Sequence, residues 1–460
     1  MEIRNEHGES RGLAQEIHSK TELRRSLGPL SVWGMGVGYV ISGMYFGWNL
    51  GLPQSGPYGM LVATAAITLM YVCFVLSYSE LAAAIPRAGG VFVYSQRALG
   101  AFAGFIAGLA QNIEFVFAPP AIAAAIGAYM NIFFPGINPT AFAIGAYVLF
   151  TALNIWGVRE SAAFGVFITI LAVVELLLFT GITLPHFSAA AFSANALPSG
   201  WWGILPAIPY AIWFYLAIEG VANMAEEVKN PQRDLSLGFN LSMATLVVLA
   251  VLVFLGAVGI AGWEAVVYTS APLGTSPPGS LRMSDSPLPL ALMRVTGQNH
   301  PMYHLLVSIG LLGLVASFHG ILLVAGRTTM ELGRAKYIHH RFAMLHRSRQ
   351  TPAAALALNM LLGILILLSG KTAEMIVIAA FGALTIYSLA LVSLIVLRRT
   401  QPDLARPFRT PLYPWVPLTA LLIAVFSLGA MAYFNTLLFV LYLLILSLGA
   451  LYFYFVHLSR

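Results

Sequence analysis

The sequence is short of charge and of cysteine. Only 9% of its 460 residues are Asp, Glu, Lys or Arg, whereas 59% are hydrophobic and the mean hydropathy is +0.82. A soluble chain of this length needs more polar surface to cover its core, so the composition excludes a soluble globular protein and indicates an integral membrane protein. The single cysteine, Cys73, excludes an intramolecular disulfide and thiol-pair redox chemistry.

Long apolar runs, by contrast, are abundant. Twelve of them reach about 20 residues, the length that crosses a bilayer as a helix. Their approximate limits are 30–52, 58–79, 101–132, 140–158, 164–184, 203–224, 236–262, 302–325, 352–370, 374–397, 414–433 and 436–456. We therefore predict an all-α membrane protein with a tail at 1–28 and a single transmembrane domain at 29–456. The connection at about 263–301, rich in Ser, Pro and Gly, is expected to be an irregular loop.

The distribution of basic residues predicts the orientation. With the N-terminus inside, 21 of the 24 Lys and Arg lie on the cytoplasmic side, and only Arg282, Arg294 and Lys371 lie outside. This asymmetry is typical of membrane proteins, whose cytoplasmic loops carry the excess of positive charge. We expect a multi-pass protein of the cytoplasmic (inner) membrane with both termini in the cytoplasm.

Three glutamates and one histidine lie well inside the apolar spans. Glu114, Glu175 and Glu219 belong to the third, fifth and sixth spans, and His319 belongs to the eighth. A charge at the centre of a membrane helix costs about 2.5–3.5 kcal/mol on insertion scales, so each carboxyl must be partnered, protonated or in contact with water. Such residues indicate a transport site, and no constellation of an embedded enzyme accompanies them. The alternative is that Glu114 and Glu219 are protonated structural residues.

The third span combines polar and helix-breaking residues. Pro119 and Pro120 have no amide hydrogen, so they deprive the carbonyls of Phe115 and Val116 of helical partners and predict a break. Gln111 and Glu114 are three residues apart and share a helix face. Together these groups form a suitable wall for an organic ammonium.

The first and sixth spans both look interrupted. The first contains a series of glycines, "GMGVGYVISGMYFGWNLGLP", and the sixth contains two prolines followed by Glu219-Gly220, "LPAIPYAIWFYLAIEG". Broken helices five spans apart are typical of an inverted five-plus-five repeat with its substrate held at the midplane. We place the first repeat at about 30–184, the second at about 203–397, and two extra helices at about 414–456.

Several strings resemble the amino acid–polyamine–organocation transporter superfamily. They are "YSELAAAIPRAGGVFVYSQRALG", "LNIWGVRES", "EGVANMAEEVKNPQRD" and "LRRTQPDLARPFRTPLYPWVP". Within it, "VISGMYFGWNLGLP", "QNIEFVFAPPAIAAAIGAYM", "AIPYAIWFYLAIEGVANMAEE" and "ASFHGILLVAGR" resemble the ethanolamine permease family. The resemblance implies the leucine-transporter-like fold and import of ethanolamine by alternating access. The alternative is an amino acid or other organic-cation permease of the same superfamily.

The resemblance also implies a site. Its relatives have a Gly-Ser-Gly type break in the first span, where this chain has Ile41-Ser42-Gly43, and the bulky Ile41 narrows the place where a substrate carboxylate would bind. We expect the ammonium to meet Glu114 and the rings of Tyr45, Trp213 and Tyr215, with Gln111 and Glu219 alongside. Ser42 or Tyr45 would accept or donate to the substrate hydroxyl.

Coupling is expected to involve Glu219 beside the break, together with Glu175 and His319. Glu175 either replaces a basic group that relatives carry one turn earlier, near Ala172, or pairs with His319. A proton is favoured over sodium as the coupling ion, because Ser317 has no clear second hydroxyl beside it. The expected partners are ethanolamine and the lipid bilayer; no nucleic acid, cofactor or metal is expected, and the oligomeric state is left open.

Overall fold

The computed structural model describes residues 25–157, 162–270, 281–346 and 348–458, and residues 1–24 of the predicted tail lie outside them. Within these ranges the chain is mostly helical. The helices are α1 (Pro29–Val40), α2 (Ser42–Tyr45), α3 (Leu52–Ala84), α4 (Val91–Leu99), α5 (Ala101–Phe133), α6 (Pro139–Trp156), α7 (Ala162–Thr183), α8 (Ala189–Ser193), α9 (Ile204–Trp213), α10 (Pro231–Val258), α11 (Glu264–Val267), α12 (Pro287–Thr296), α13 (Pro301–Arg334), α14 (Ala353–Leu367), α15 (Thr372–Thr400), α16 (Trp415–Phe434) and α17 (Thr436–Leu458). Short 3₁₀ helices cover Trp48–Gly51, Leu184–His186, Gly200–Gly203, Ile218–Glu227 and His340–Ala343.

Ten segments of the described ranges are long and apolar enough to cross a membrane. They are Trp48–Ala84, Ala101–Phe133, Pro139–Trp156, Phe164–His186, Gly200–Glu227, Pro231–Val258, Pro301–Arg334, Thr372–Thr400, Trp415–Phe434 and Thr436–Val456. The protein is therefore a multi-pass membrane protein. The count of twelve stays a prediction, because short pieces cover the first predicted span and the ninth, α14, has only 15 residues.

The first span breaks one turn later than Ile41-Ser42-Gly43. Ile41 has helical dihedrals (φ −59°, ψ −23°), and the backbone becomes extended only at Phe46 before Gly47 takes a positive φ of 94°. A Cβ on Gly47 would lie 2.3 Å from the Trp213 ring, so glycine is required there both for its conformation and for the close approach of the two chains. The α-helix is interrupted at Ile41, between α1 and α2, but the backbone leaves helical dihedrals only at Phe46 and Gly47.

The sixth span breaks where it was predicted to. Helix α9 ends at Trp213, and the turn that follows reaches Ala217, which has a left-handed backbone (φ 79°) that costs energy for any residue with a side chain. The two breaks interlock through aromatic pairs, because Trp213 packs edge-on against Phe46 and Phe214 stacks on Trp48. Glu219 thus lies two residues beyond the break.

The third span, in contrast, is one continuous helix. Helix α5 runs through Pro119 and Pro120 to Phe133, so the predicted break there is wrong. The carbonyls of Phe115 and Val116 still lack helical donors, because proline has no amide hydrogen. Helix α5 packs against α4, α6, α13, α14 and α15, and these neighbours keep the two prolines buried.

The outer connection is more ordered than its composition predicts. Strands β1 (Tyr268–Ser270) and β2 (Leu281–Met283) pair antiparallel with Tyr268 opposite Met283, and α11 and α12 flank the hairpin. The following segment is tied to the bundle, because Asn49 Nδ2 donates to the Ser284 carbonyl (2.8 Å) and Thr372 Oγ1 donates to Asp285 Oδ2 (3.3 Å). The described parts of this connection are therefore not an irregular loop.

Candidate functional site

Two glutamates meet where α5 faces the break of the sixth span. Glu114 and Glu219 are completely buried, and their carboxyl groups lie close enough to interact electrostatically. The Glu114 carboxyl also faces the backbone N–H of Ala217, the left-handed residue of the break. The predicted substrate ligand on α5 and the predicted coupling residue beyond the break thus form one centre.

Close backbone approach places Glu114 at this junction. A Cβ on Gly382 of α15 would lie 2.7 Å from the Ala110 carbonyl and 3.1 Å from Glu114 Cβ, so α15 packs directly on the turn of α5 that carries Glu114. Gln111 lies one turn before Glu114 and is also completely buried. A larger residue at Gly382 would push α15 away from the pair.

Two tyrosines that sequence reasoning missed hold the second carboxyl. Tyr387 of α15 donates to Glu219 Oε2 at 2.9 Å, and its hydroxyl oxygen lies 3.1 Å from that of Tyr71 on α3. The sequence does carry a signal, since both tyrosines lie inside apolar spans, and a buried tyrosine hydroxyl usually has a hydrogen-bond partner. The signal does not say which acid that partner is.

The centre contains polar atoms that lack partners. Buried polar atoms without a hydrogen bond of good geometry occur in several parts of the described bundle, and at this centre they include both side-chain polar atoms of Gln111, both carboxyl oxygens of Glu114, and Glu219 Oε1. More than nine in ten buried polar groups in proteins are satisfied, so carboxyl oxygens without a donor require an explanation.

Tyr45 belongs to a different centre. Its hydroxyl donates to Glu175 Oε2 on α7 at 2.8 Å, and its ring packs edge-on against Tyr129. Glycines 310 and 313 of α13 permit this, because a Cβ on either would lie within about 3.0 Å of the Tyr45 side chain. The structure therefore does not bring Tyr45 together with Trp213 and Tyr215, as the sequence analysis expected.

The remaining predicted ligands have partners of their own. The Ser42 hydroxyl accepts from Ser317 Oγ (2.9 Å), which also contacts the Tyr39 carbonyl at 2.7 Å. The Tyr215 hydroxyl lies 2.7 Å from Thr68 Oγ1 on α3. Gly43 packs directly on the Trp213 carbonyl, 2.3 Å from where its Cβ would be, so it joins the two broken spans and leaves no space for a substrate group at that position.

His319 does not pair with Glu175. Its carbonyl accepts a hydrogen bond from Asn154 Nδ2, and its ring packs edge-on against Phe150 of α6. Since Glu175 is bonded to Tyr45, the expected pairing of the two ionisable groups is absent from this conformation.

Ion pairs connect helix ends on the predicted cytoplasmic side. Arg327 of α13 binds Glu227 at 2.8 Å, and the carbonyl of Glu227 accepts from the amides of Ser26 and Leu27 before the first span. Glu80 of α3 accepts from Arg398 Nε (2.8 Å) and from the Thr410 amide (2.7 Å). Glu80 and Glu227 therefore connect separate elements of the bundle.

Comparison with known proteins gives the family. A family profile described as amino acid permease matches residues 27–455. An uncharacterized transporter of Rhizobium meliloti is 27% identical, with 90% of this chain and 87% of that protein covered. The branched-chain amino acid permease BcaP of Bacillus subtilis is 25% identical (92% and 91% covered), and the methylthioribose transporter of the same organism is 27% identical (88% of each). None of these names specifies ethanolamine, and with the profile covering nearly the whole chain, the protein belongs to the amino acid permease family of membrane transporters.

Proposed function

We propose that this protein is a secondary transporter of amino acids or other small organic cations, and that the ammonium group of its substrate binds at Glu114 and Glu219. The observation that carries the proposal is the pair of buried carboxyls with unpartnered polar atoms around it. A carboxylate 4 Å from an ammonium contributes about 4 kcal/mol before desolvation at an effective dielectric constant of 20. An aromatic face such as that of Trp213 adds about 0.5–2 kcal/mol.

The buried charges favour a cation over an anion. Among the described residues, the buried ionisable groups apart from tyrosine and Cys73 are five acids and one histidine: Glu80, Glu114, Glu175, Glu219, Asp234 and His319. Of these acids, Glu80 is paired with arginines. A substrate carboxylate at the centre would face two acids with no basic partner. This supports the narrower proposal of a substrate with an ammonium and no carboxylate, of which ethanolamine is the smallest hydroxyl-bearing example.

A second candidate is an α-amino acid permease. The family profile and the name of BcaP favour it. In that case the substrate carboxylate would bind backbone amides near the two breaks after a conformational change, while the ammonium would bind at the same pair of acids. Competition between the two classes of amine distinguishes the candidates.

We further propose alternating access with a proton, not sodium, as the coupling ion. The hydroxyl of Ser317 and the carbonyl of Tyr39, which a sodium site between the first and eighth spans would use, are bonded to each other. The asymmetry of the basic residues supports our proposal that both termini lie in the cytoplasm, and the family supports a transporter in preference to an enzyme.

The test is uptake into proteoliposomes. Labelled ethanolamine and labelled leucine are each offered to the native protein, to Glu114→Gln, and to Glu374→Gln, which removes an outer carboxylate paired with Lys371. We expect saturable uptake of at least one amine, a fall of at least about 30-fold in Glu114→Gln because a buried charge partner is lost, and no change in Glu374→Gln. Ethanolamine uptake that resists leucine supports the narrower proposal, and equal competition supports the amino acid permease. Unchanged uptake in Glu114→Gln would contradict the site.

A further inference from the structure

The Glu114–Glu219 pair joins two groups of the same charge type. The titratable groups that face it from the surrounding helices are all tyrosines: Tyr71 and Tyr78 on α3, Tyr387 on α15 and Tyr442 on α17. Among the described residues, no lysine, arginine or histidine acts on either carboxyl. The pair therefore has no protein cation to balance two negative charges.

Two ionised carboxylates cannot remain in contact in such a place. Each would repel the other, and burial would remove the water that screens them. A single proton between the two groups converts the repulsion into a strong hydrogen bond between a carboxyl and a carboxylate, as in other carboxyl dyads. It also supplies the hydrogen that the facing oxygens lack.

We propose that Glu114 and Glu219 share one proton when substrate is absent, and that the substrate ammonium displaces this proton to water. The inference rests on the proposed function, because it takes the ammonium to bind at the same pair. In the displacement one carboxyl O–H bond breaks, the proton leaves to bulk water, and the ammonium forms hydrogen bonds to both carboxylates. The site has one net negative charge before and after the exchange.

The exchange of one proton for one ammonium determines the net charge that the transporter moves in each cycle. If the pair returns across the membrane only with a proton in place of the amine, each cycle exchanges one ammonium for one proton. The cycle is electrically neutral and is equivalent to moving the uncharged amine. An acidic vesicle interior should therefore drive accumulation of the amine, whereas a membrane potential imposed at equal pH should not.

Tyr387 is a positioning residue in this account. Its hydrogen bond to Glu219 Oε2 leaves Oε1 free to face Glu114, and Tyr71 fixes the tyrosine in turn. Tyr387→Phe should weaken amine binding several-fold at every pH while about one proton is still released per amine bound. A purely structural role would instead lower the amount of folded protein and leave the affinity of the remainder unchanged.

The experiment measures proton release from the purified full-length protein in weakly buffered detergent. A pH indicator records released protons while equilibrium dialysis with labelled ethanolamine, and separately with labelled leucine, records bound amine. We expect about one proton per amine, and a dissociation constant that rises about tenfold for each unit by which pH is lowered, because proton and amine compete for one site. Glu114→Gln and Glu219→Gln should bind the amine at least about 30-fold more weakly, and Glu374→Gln should match the native protein in both affinity and proton release.

The failures of the two proposals are distinguishable. Saturable amine binding without proton release would overturn the shared proton and leave the proposed function standing. Absence of saturable binding of either amine would overturn the proposed function. The proton itself is then tested by infrared difference spectroscopy, in which amine binding at neutral pH should remove a protonated carboxyl band in the native protein and in Glu175→Gln; binding that removes no such band in either protein would contradict the shared proton.

Discussion

Two buried carboxyl centres of the bundle differ in how their acids are satisfied. At Glu175 a single acid accepts a hydrogen bond from Tyr45, and the surrounding glycines allow the tyrosine to pack closely. At Glu114 and Glu219 two acids face each other, with a tyrosine donor on one side only and unpartnered oxygens between them. A carboxyl whose donor is built into the fold needs no ligand, whereas a pair of acids needs a cation or a proton. The Glu114–Glu219 pair is therefore the centre that can bind an ammonium group and exchange it for a proton.

Replacing one acid in each centre gives the largest expected difference. Glu114→Gln should reduce amine uptake at least about 30-fold, because one charge partner of the ammonium is lost. Glu175→Gln should change uptake less than about fivefold, because glutamine still offers a carbonyl oxygen to Tyr45 and only one hydrogen bond is altered. Initial rates in proteoliposomes, normalised to the amount of reconstituted protein, measure both. Equal losses in the two variants would remove the distinction between the centres.

Removing the Tyr45 hydroxyl, which donates to Glu175, should affect stability more than transport. Tyr45→Phe leaves the Glu175 carboxyl without its hydrogen bond in a buried place, which costs about 1–3 kcal/mol. We expect a lower melting temperature in detergent, with the affinity for amine retained. The double variant Tyr45→Phe/Glu175→Leu should recover part of the stability, because the polar group is then removed along with its partner. A loss of affinity without a loss of stability would place Tyr45 at the substrate after all.

The role of Gly47 in the break of the first span can be tested by comparison with Gly429, which has open space at its Cβ position. Gly47→Ala forces a side chain into a left-handed backbone, at about 1–2 kcal/mol, and drives its Cβ to within 2.3 Å of the Trp213 ring. Uptake and melting temperature should both fall, because the two breaks no longer interlock. Gly429 in α16 has open space at its Cβ position. Gly429→Ala should therefore stay within about 0.5 kcal/mol of the native stability.

The smallest expected effect lies outside the membrane, at the outer connection. Burial raises the pKa of Asp285 to about 6, while Arg282 and the hydrogen bond from Thr372 oppose the rise. In the unfolded chain an aspartate has a pKa of about 3.9, so the folded state holds the extra proton between these values. Stability is then fully present below about pH 4 and falls as pH rises through about 6. We therefore compare the melting temperatures of Asp285→Asn and the native protein at two pH values. The difference (variant minus native) should be about 1–3 °C larger at pH 7.5 than at pH 4.5.

The membrane helices and part of the candidate site can be predicted from the sequence. Apolar length predicts the membrane helices, and the residues around Glu219 predict a break that the structure confirms at Trp213 to Ala217. In the first span the series of glycines predicts an interruption but not its exact place: the helix is interrupted at Ile41, and the backbone leaves helical dihedrals at Phe46 and Gly47. Helical spacing along one span indicates which residues share a face. It does not indicate how far the chain continues as a helix.

Side-chain partners between spans were the least predictable feature. Tyr45 was expected beside the substrate and bonds Glu175, whereas Tyr387 was not considered and bonds Glu219. Each pairing depends on which turn of one helix faces which turn of another, and close glycine contacts such as Gly382 on Glu114 decide that register. A single sequence shows the glycine but not the residue that it approaches.

The most direct test of the central claim is a structure determined with a saturating concentration of the amine that the protein transports. The account predicts that the amine nitrogen lies about 2.7–3.2 Å from a Glu114 carboxylate oxygen, with Glu219 separated from Glu114 by the ligand and Tyr45 still bonded to Glu175. An amine bound against Glu175 and Tyr45, with the carboxyls of Glu114 and Glu219 still in contact, would contradict it.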